Sequence, residues 1–285
     1  MSCSSKRCLL FSFSLFVAVT LSGCPDPQPD CNTTNFWPCT ERAGILQGAT
    51  PSQADSDYIA FGDSIPVGGK CLSTCGFIDG LETATGKSVA NFGIAGHTAH
   101  NEVDGWLLWG DYKEPFWRVQ QSISLNPNAT RAYIHIGGDD LIDCRFGDSP
   151  PASCHDILWP NDPPDCSLDA GLEGFIASIA DKVRLIVQTY KANGISDIYL
   201  FSPSQIDPDC AAFLLFIPDE NERQCINPLL LALRDALRSV ATEEGTSFVD
   251  LTADQRLIAN HCANDCIHID CQGHALVLED ILAAD

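Results

Sequence analysis

Residues 130–140 read TRAYIHIGGDD, a short apolar run that stops at a glycine pair and two carboxylates. A run of this length bounded by turn residues predicts a buried strand, with the glycines marking where the chain leaves the sheet. Four more stretches share the pattern: DYIAFGDS (57–64), SVANFGIAG (88–96), SDIYLFSPS (196–204) and TSFVDLT (246–252). Helical periodicity fills the intervals on both sides of the fourth run. Leu172, Phe175, Ile176, Ile179, Val183, Ile186, Val187 and Tyr190 recur at spacings of three and four ahead of a stop at Asn193-Gly194. Asn227-Pro228 predicts the start of a second helix carrying Leu229, Leu233, Leu237 and Val240. Five strands separated by helices predict an α/β fold of three αβα layers around a parallel sheet of about five strands. Functional groups in such a sheet collect at the carboxyl ends of the strands. Two long cysteine-bearing insertions, 141–171 and 205–226, follow strand ends and either rim a pocket or decorate the surface.

The acids that close the opening stretch, Asp139 and Asp140, form DDxxD together with Asp143. On a helix, that spacing puts two hard oxygen ligands on one face, where they can hold magnesium. Here the motif follows a strand and no Lys/Arg cluster lies nearby to meet phosphates, so neither a metal nor another cofactor is expected.

The chain has 285 residues, enough for one full core, and its Lys+Arg 16 against Asp+Glu 38 give a net charge of −22. That sign argues against a nucleic-acid partner. Residues 1–23 have the layout of an export signal: Lys6 and Arg7 precede the apolar run Leu9–Leu21, which is too short to span a bilayer. The signal ends in LSGC (21–24), which resembles a bacterial lipobox and implies lipidation at Cys24; cleavage of an ordinary signal near Gly23 is the alternative. Of the 15 cysteines, subtracting Cys3, Cys8 and Cys24 leaves 12, an even number that suits a disulfide framework in an exported chain. Their spacings lack the paired pattern of zinc sites. Residues 24–56, with Pro25, Pro27, Pro29, Pro38 and Pro51, read as a tether, and 57–285 as the domain.

Taken in order, the strand ends carry a set of reactive and backbone-donating groups. The first gives Gly62-Asp63-Ser64, a serine where a strand turns toward a helix. The second gives NFGIAGHTA (91–99), glycines that admit a close ligand or simply a turn. The third is GGDD, and the last region, NDCIHIDCQGHALVLEDIL (264–282), places Asp265 three residues before His268. That spacing lets a carboxylate fix the tautomer of an imidazole. His274 falls in the following helical run, and His135 reads as a strand residue facing a neighbour.

Together these blocks resemble the GDSL-type, or SGNH, serine hydrolases. The matching residues are FGDS, N-x-G-x-x-G-x-T at Asn91–Thr98, GG-x-D at Gly137–Asp140, D-x-x-H at Asp265–His268, and a tail similar to the family's HPxxxGHxxxAxxI. The resemblance implies a flavodoxin-like SGNH-hydrolase fold and a carboxylic-ester hydrolase acting on small-molecule, lipid or carbohydrate esters. It implies Ser64 as nucleophile, His268 as base, Asp265 as its orienting acid, and an oxyanion hole from the N–H groups of Ser64 and Gly96 and an amide in the third block. Asp63 and Asp140 would support the loops. This chain departs at that amide, which is Asp139. An ionised carboxylate only accepts hydrogen bonds, and loss of one oxyanion donor costs roughly 10² to 10³ in rate. A protonated Asp139 would donate, which requires a shift of about three units from ~3.9 to hold at pH 7. The same residue is the best argument for the alternative, a non-catalytic or weakly active binding protein of this fold for carbohydrate or ester ligands. The expected location is the cell envelope, periplasmic or cell-surface, with the membrane reached through lipid at Cys24.

Overall fold

The structure is a computed structural model that describes residues 54–67, 76–94, 96–104, 116–141, 170–208, 220–261 and 267–285. Five parallel strands form one sheet in the order β2-β1-β3-β4-β5. They are β1 (Tyr58–Gly62), β2 (Val89–Gly93), β3 (Arg131–His135), β4 (Asp197–Phe201) and β5 (Ser247–Val249). Tyr58 stands beside Val89 on one side and Arg131 on the other, so the carboxyl ends of β1, β2 and β3 lie level. The order reverses between β1 and its neighbours, which opens a crevice outside the carboxyl ends of β1 and β3.

Alternation along the strands divides the core into two layers. Ile59, Phe61, Ala132, Ile134, Ile198 and Leu200 face one side, covered by α4 (Trp117–Leu125), α5 (Ala170–Ala192) and α6 (Glu220–Glu244). Ala60, Tyr133, Tyr199, Phe201 and Val249 face the other, covered by α2 (Phe77–Thr85) and α7 (Cys271–Ala284). Two short helices, α1 (Ser64–Val67) and α3 (Ala99–Asp104), follow β1 and β2. All eight periodic residues of α5 are buried. Each side chain of that size removes about 1.5–3 kcal/mol of apolar surface from water, so this stripe is what pins α5 to the sheet.

α6 corrects the sequence expectation. It begins at Glu220, eight residues before Pro228, and Pro228 lies inside it. The Asn227 amide, expected to cap the helix, grips the backbone of Ile206 instead: Ile206 N–H donates to Asn227 Oδ1 at 3.0 Å and Asn227 Nδ2 donates to the Ile206 carbonyl at 2.9 Å. The turn ahead of the proline is held by burial of Cys225 and Ile226, a tertiary gain that overrides the local rule. Part of the expected insertion 205–226 is therefore helix. At the other boundary, Ser56 is buried, its N–H donating to Asn126 Oδ1 at 2.8 Å. Among the described residues no helix is long and apolar enough to cross a membrane.

Candidate active site

Gly62 ends β1 with φ +148°, and a Cβ built there would lie 1.7 Å from the carbonyl oxygen of His135 on β3. That oxygen accepts the Asp63 N–H at 3.0 Å, so the turn into Ser64 is pressed against the neighbouring strand. Only glycine fits. Gly62→Ala is expected to lower stability by on the order of 3–5 kcal/mol through strain and overpacking, read as a lower urea midpoint; an unchanged midpoint would refute this packing argument.

Asp63 is buried and closes the turn by accepting Ile65 N–H at 3.0 Å. Its carboxylate also meets His135 Nδ1, at 2.9 and 3.0 Å to the two oxygens. Ser64 opens α1 and is 5 % exposed. It lines an open cleft with Asp63, His135, Asp139, Ser204 and the apolar Ile65, Pro203, Ile206, Leu230 and Ile267. The Asn227 grip thus fixes one wall residue, Ile206, in place.

The two adjacent acids of the opening stretch diverge. Residues 138–141 form a helical turn after β3, in which Asp139 is half-buried in the cleft. Asp140 points away into the protein and holds the start of α3, accepting Ala99 N–H at 2.7 Å, His100 N–H at 3.1 Å and meeting His100 Nδ1 at 2.6 Å. Asp143 lies outside the described residues, and among those described no group of three His, Cys, Asp or Glu side chains is arranged to hold a metal.

Gly96, with φ +74°, stands in the turn after β2 and is not among the residues lining the cleft. The turn is secured on both sides: Ile94 N–H donates to the Gly62 carbonyl at 3.0 Å and His97 N–H to the Ile94 carbonyl at 3.2 Å. His268 is buried and follows the cleft residue Ile267. The segment is clamped by an antiparallel bridge between His261 and Ile269, by Asp270 N–H donating to the Asn260 carbonyl at 2.9 Å, and by Asp270 capping α7 through Gly273 N–H at 2.9 Å. Asp265 and Cys24 lie outside the described residues.

The structure adds residues that the sequence reading left out. His97 Nε2 lies 3.2 Å from Glu102 Oε2, Glu102 Oε1 accepts Val119 N–H at 2.9 Å, and Arg118 NH1 lies 3.9 Å from Glu102 Oε2, all buried. Burial pulls His97 down to about 4, helped by the Arg118 charge and opposed by Glu102. Burial pushes Glu102 up, but the His97 contact, the Arg118 charge and the Val119 N–H together bring it below its ordinary value. Nothing in the sequence around Arg118 marks it, because it sits on the buried face of α4 beside Val119 and Ser122, where the pattern calls for an apolar residue.

His274 is a second case of a buried neutral imidazole. It stacks on Phe77 at 6.2 Å, neither ring nitrogen has a hydrogen-bond partner, and burial first, then the His268 charge, lowers it to about 4. The unfolded chain then binds a proton that the folded one refuses. Stability should be complete above pH 6.5 and fall between 6.5 and 4, by about 3 kcal/mol from this residue. Denaturant unfolding across that window should show a shallower slope for His274→Leu, and an equal slope would overturn the assignment.

The family model of the GDSL-like lipase/acylhydrolases matches residues 60–276. The chain belongs to that family of ester hydrolases. No curated protein matches the sequence significantly. Solved structures with the same fold include an extracellular lipase from Streptomyces rimosus, at 17% identity and TM-score 0.53 over 81% of this chain and 100% of that one. A phospholipase A1 from Streptomyces albidoflavus aligns at 16% identity and TM-score 0.53, over 81% and 100%. A mutant of an acetyl-xylooligosaccharide esterase from Geobacillus aligns at 18% identity and TM-score 0.52, over 81% and 94%.

Proposed function

We propose that this protein is an exported, lipid-anchored carboxylic-ester hydrolase that works through a Ser64 acyl-enzyme. The observation that carries the reading is the placement of Ser64 at the switch point of the sheet, in a cleft shared with Asp139 and with Ile267, the neighbour of His268. Ser64 Oγ bonds to the acyl carbon while its proton passes to His268; the alcohol leaves with that proton, and water repeats the sequence to release the acid and restore the serine. Asp265 orients His268. The N–H groups of Ser64 and Gly96 meet the oxyanion, and Asp139 adds a donor in its protonated form. Apolar Pro203, Ile206, Leu230 and Ile267 along one wall suit the acyl chain. The lipase, phospholipase and sugar-ester esterase of like fold all cleave esters, which supports a lipid or carbohydrate ester as substrate. Export and anchoring rest on residues 1–24, with Cys24 as the lipidated residue, and disulfide bonding at Cys225 and Cys271 is in keeping with an oxidising compartment.

The test is turnover of short and long acyl p-nitrophenyl esters by the full chain, with and without chelator, together with labelling by a fluorophosphonate. Chelator-insensitive hydrolysis and a label mapped to Ser64 are expected. Ester turnover without serine labelling would refute the mechanism.

A further inference from the structure

Among the described residues Arg118 heads the largest fully enclosed side chains, at 2 % exposure. Taking a guanidinium out of water is costly, and an apolar side chain would fill the same space between α4 and the sheet at lower cost. Its contacts explain its presence. NH2 donates to the carbonyl of Gly62 at 3.1 Å and also to the carbonyl of Phe92, while the guanidinium carbon lies 4.5 Å over the Phe61 ring. Gly62 is the last residue of β1, two before Ser64; Phe92 lies in β2, four before Gly96. One cation therefore ties together the ends of the two strands whose following turns carry the backbone donors assigned to the oxyanion.

The cation also faces a buried carboxylate. Glu102 faces NH1 at 3.9 Å, and the same carboxylate reaches His97, the residue after Gly96, at 3.2 Å. With His97 kept neutral by burial, Arg118 supplies the positive charge that answers Glu102. The chain Gly62, Arg118, Glu102, His97 thus runs from one donor turn to the other through buried contacts. Where an amide is replaced by Asp139, the two backbone N–H groups have more of the oxyanion to carry, and their mutual geometry matters more.

We propose that Arg118 is a positioning residue of the ester hydrolysis, holding the carbonyls of Gly62 and Phe92 so that the N–H groups of Ser64 and Gly96 keep the spacing an oxyanion requires. The proposal rests on the hydrolase reading above. Because an oxyanion exists in the transition state and not in the bound ester, loosening this brace acts on kcat rather than KM.

Arg118→Lys in the full chain keeps the charge but has one compact head group in place of the planar fork. It is expected to lower kcat roughly 10- to 100-fold with KM within about twofold, and to slow fluorophosphonate labelling of Ser64 in proportion. Arg131→Gln is the control for stability alone. Arg131 sits at the opposite end of β3, paired with Asp197 at 2.6 Å and Asp285 at 2.8 Å, so its loss should lower Tm and leave kcat unchanged. If Arg118→Lys does not fold, Glu102→Gln takes its place: it keeps an acceptor for Val119 N–H, removes the charge facing Arg118 and sets an amide NH2 against His97, so it loosens the same brace, and a loss in kcat alone is again expected. A folded variant with unchanged kcat, or with its loss confined to KM, would overturn the proposal. Absence of both turnover and labelling in the wild-type chain would instead overturn the hydrolase reading, and the role of Arg118 with it.

Discussion

Ser64→Ala is expected to reduce ester hydrolysis by a factor on the order of 10⁴ to 10⁶, leaving KM and Tm near their wild-type values. In the proposed mechanism the loss is large because the hydroxyl is the atom that bonds to the acyl carbon. Stability should hardly change, since alanine removes one oxygen from a residue at the mouth of a cleft, and the turn beneath it is kept by Asp63 accepting Ile65 N–H and by the Asp63 N–H bond to His135. Measuring kcat, KM and fluorophosphonate labelling on the same preparations separates three readings. A serine hydrolase loses turnover and label together, a non-catalytic binding protein of this fold shows neither in the wild type, and a magnesium enzyme built on Asp139, Asp140 and Asp143 keeps its turnover in the variant and loses it to chelator. The geometry argues against the last, because Asp140 is turned into the protein toward Ala99 and His100 while Asp139 faces the cleft.

How far the sequence leads depends on whether the information is local. Strand and helix periodicity is local, so five strands alternating with helices, the parallel sheet that alternation implies and the buried stripe of α5 were legible, while the strand order was not. Asn227-Pro228 shows the limit. The pair reads as a helix start, but burial of Cys225 and Ile226 carries the helix through it and frees the asparagine to hold Ile206, 21 residues away. Motifs led to Ser64, His268 and the third strand end because each occupies a fixed place in its own block. Asp63 and Asp140 fall in the same blocks, but their partners, and Arg118, had no such mark. Asp63 meets His135 across 72 residues, Asp140 meets His100 across 40, and Arg118 reaches Gly62 across 56. Contacts of that range arise only when parallel strands bring their ends level, and a single sequence carries no period that encodes them.

Asp139→Asn is the second large effect, and it is a gain. Asp139 follows β3 at the carboxyl edge of the sheet, one strand over from Ser64 and in the same cleft, and in the proposed mechanism it holds the place of an amide donor to the oxyanion. A carboxyl group can do so only with its proton on, so wild-type kcat should fall as pH rises through the pKa of this group. Ionisation both removes a donor and sets a negative charge beside a developing one. Asparagine has nearly the same shape and donates at every pH. The variant should therefore match wild type on the acidic side and exceed it on the alkaline side, by a factor approaching 10² to 10³, the usual worth of one oxyanion donor. KM should change little, because the bound ester carries no full charge at that oxygen. A kcat profile against pH for both chains decides it: coincident curves would mean that Asp139 takes no part in oxyanion binding.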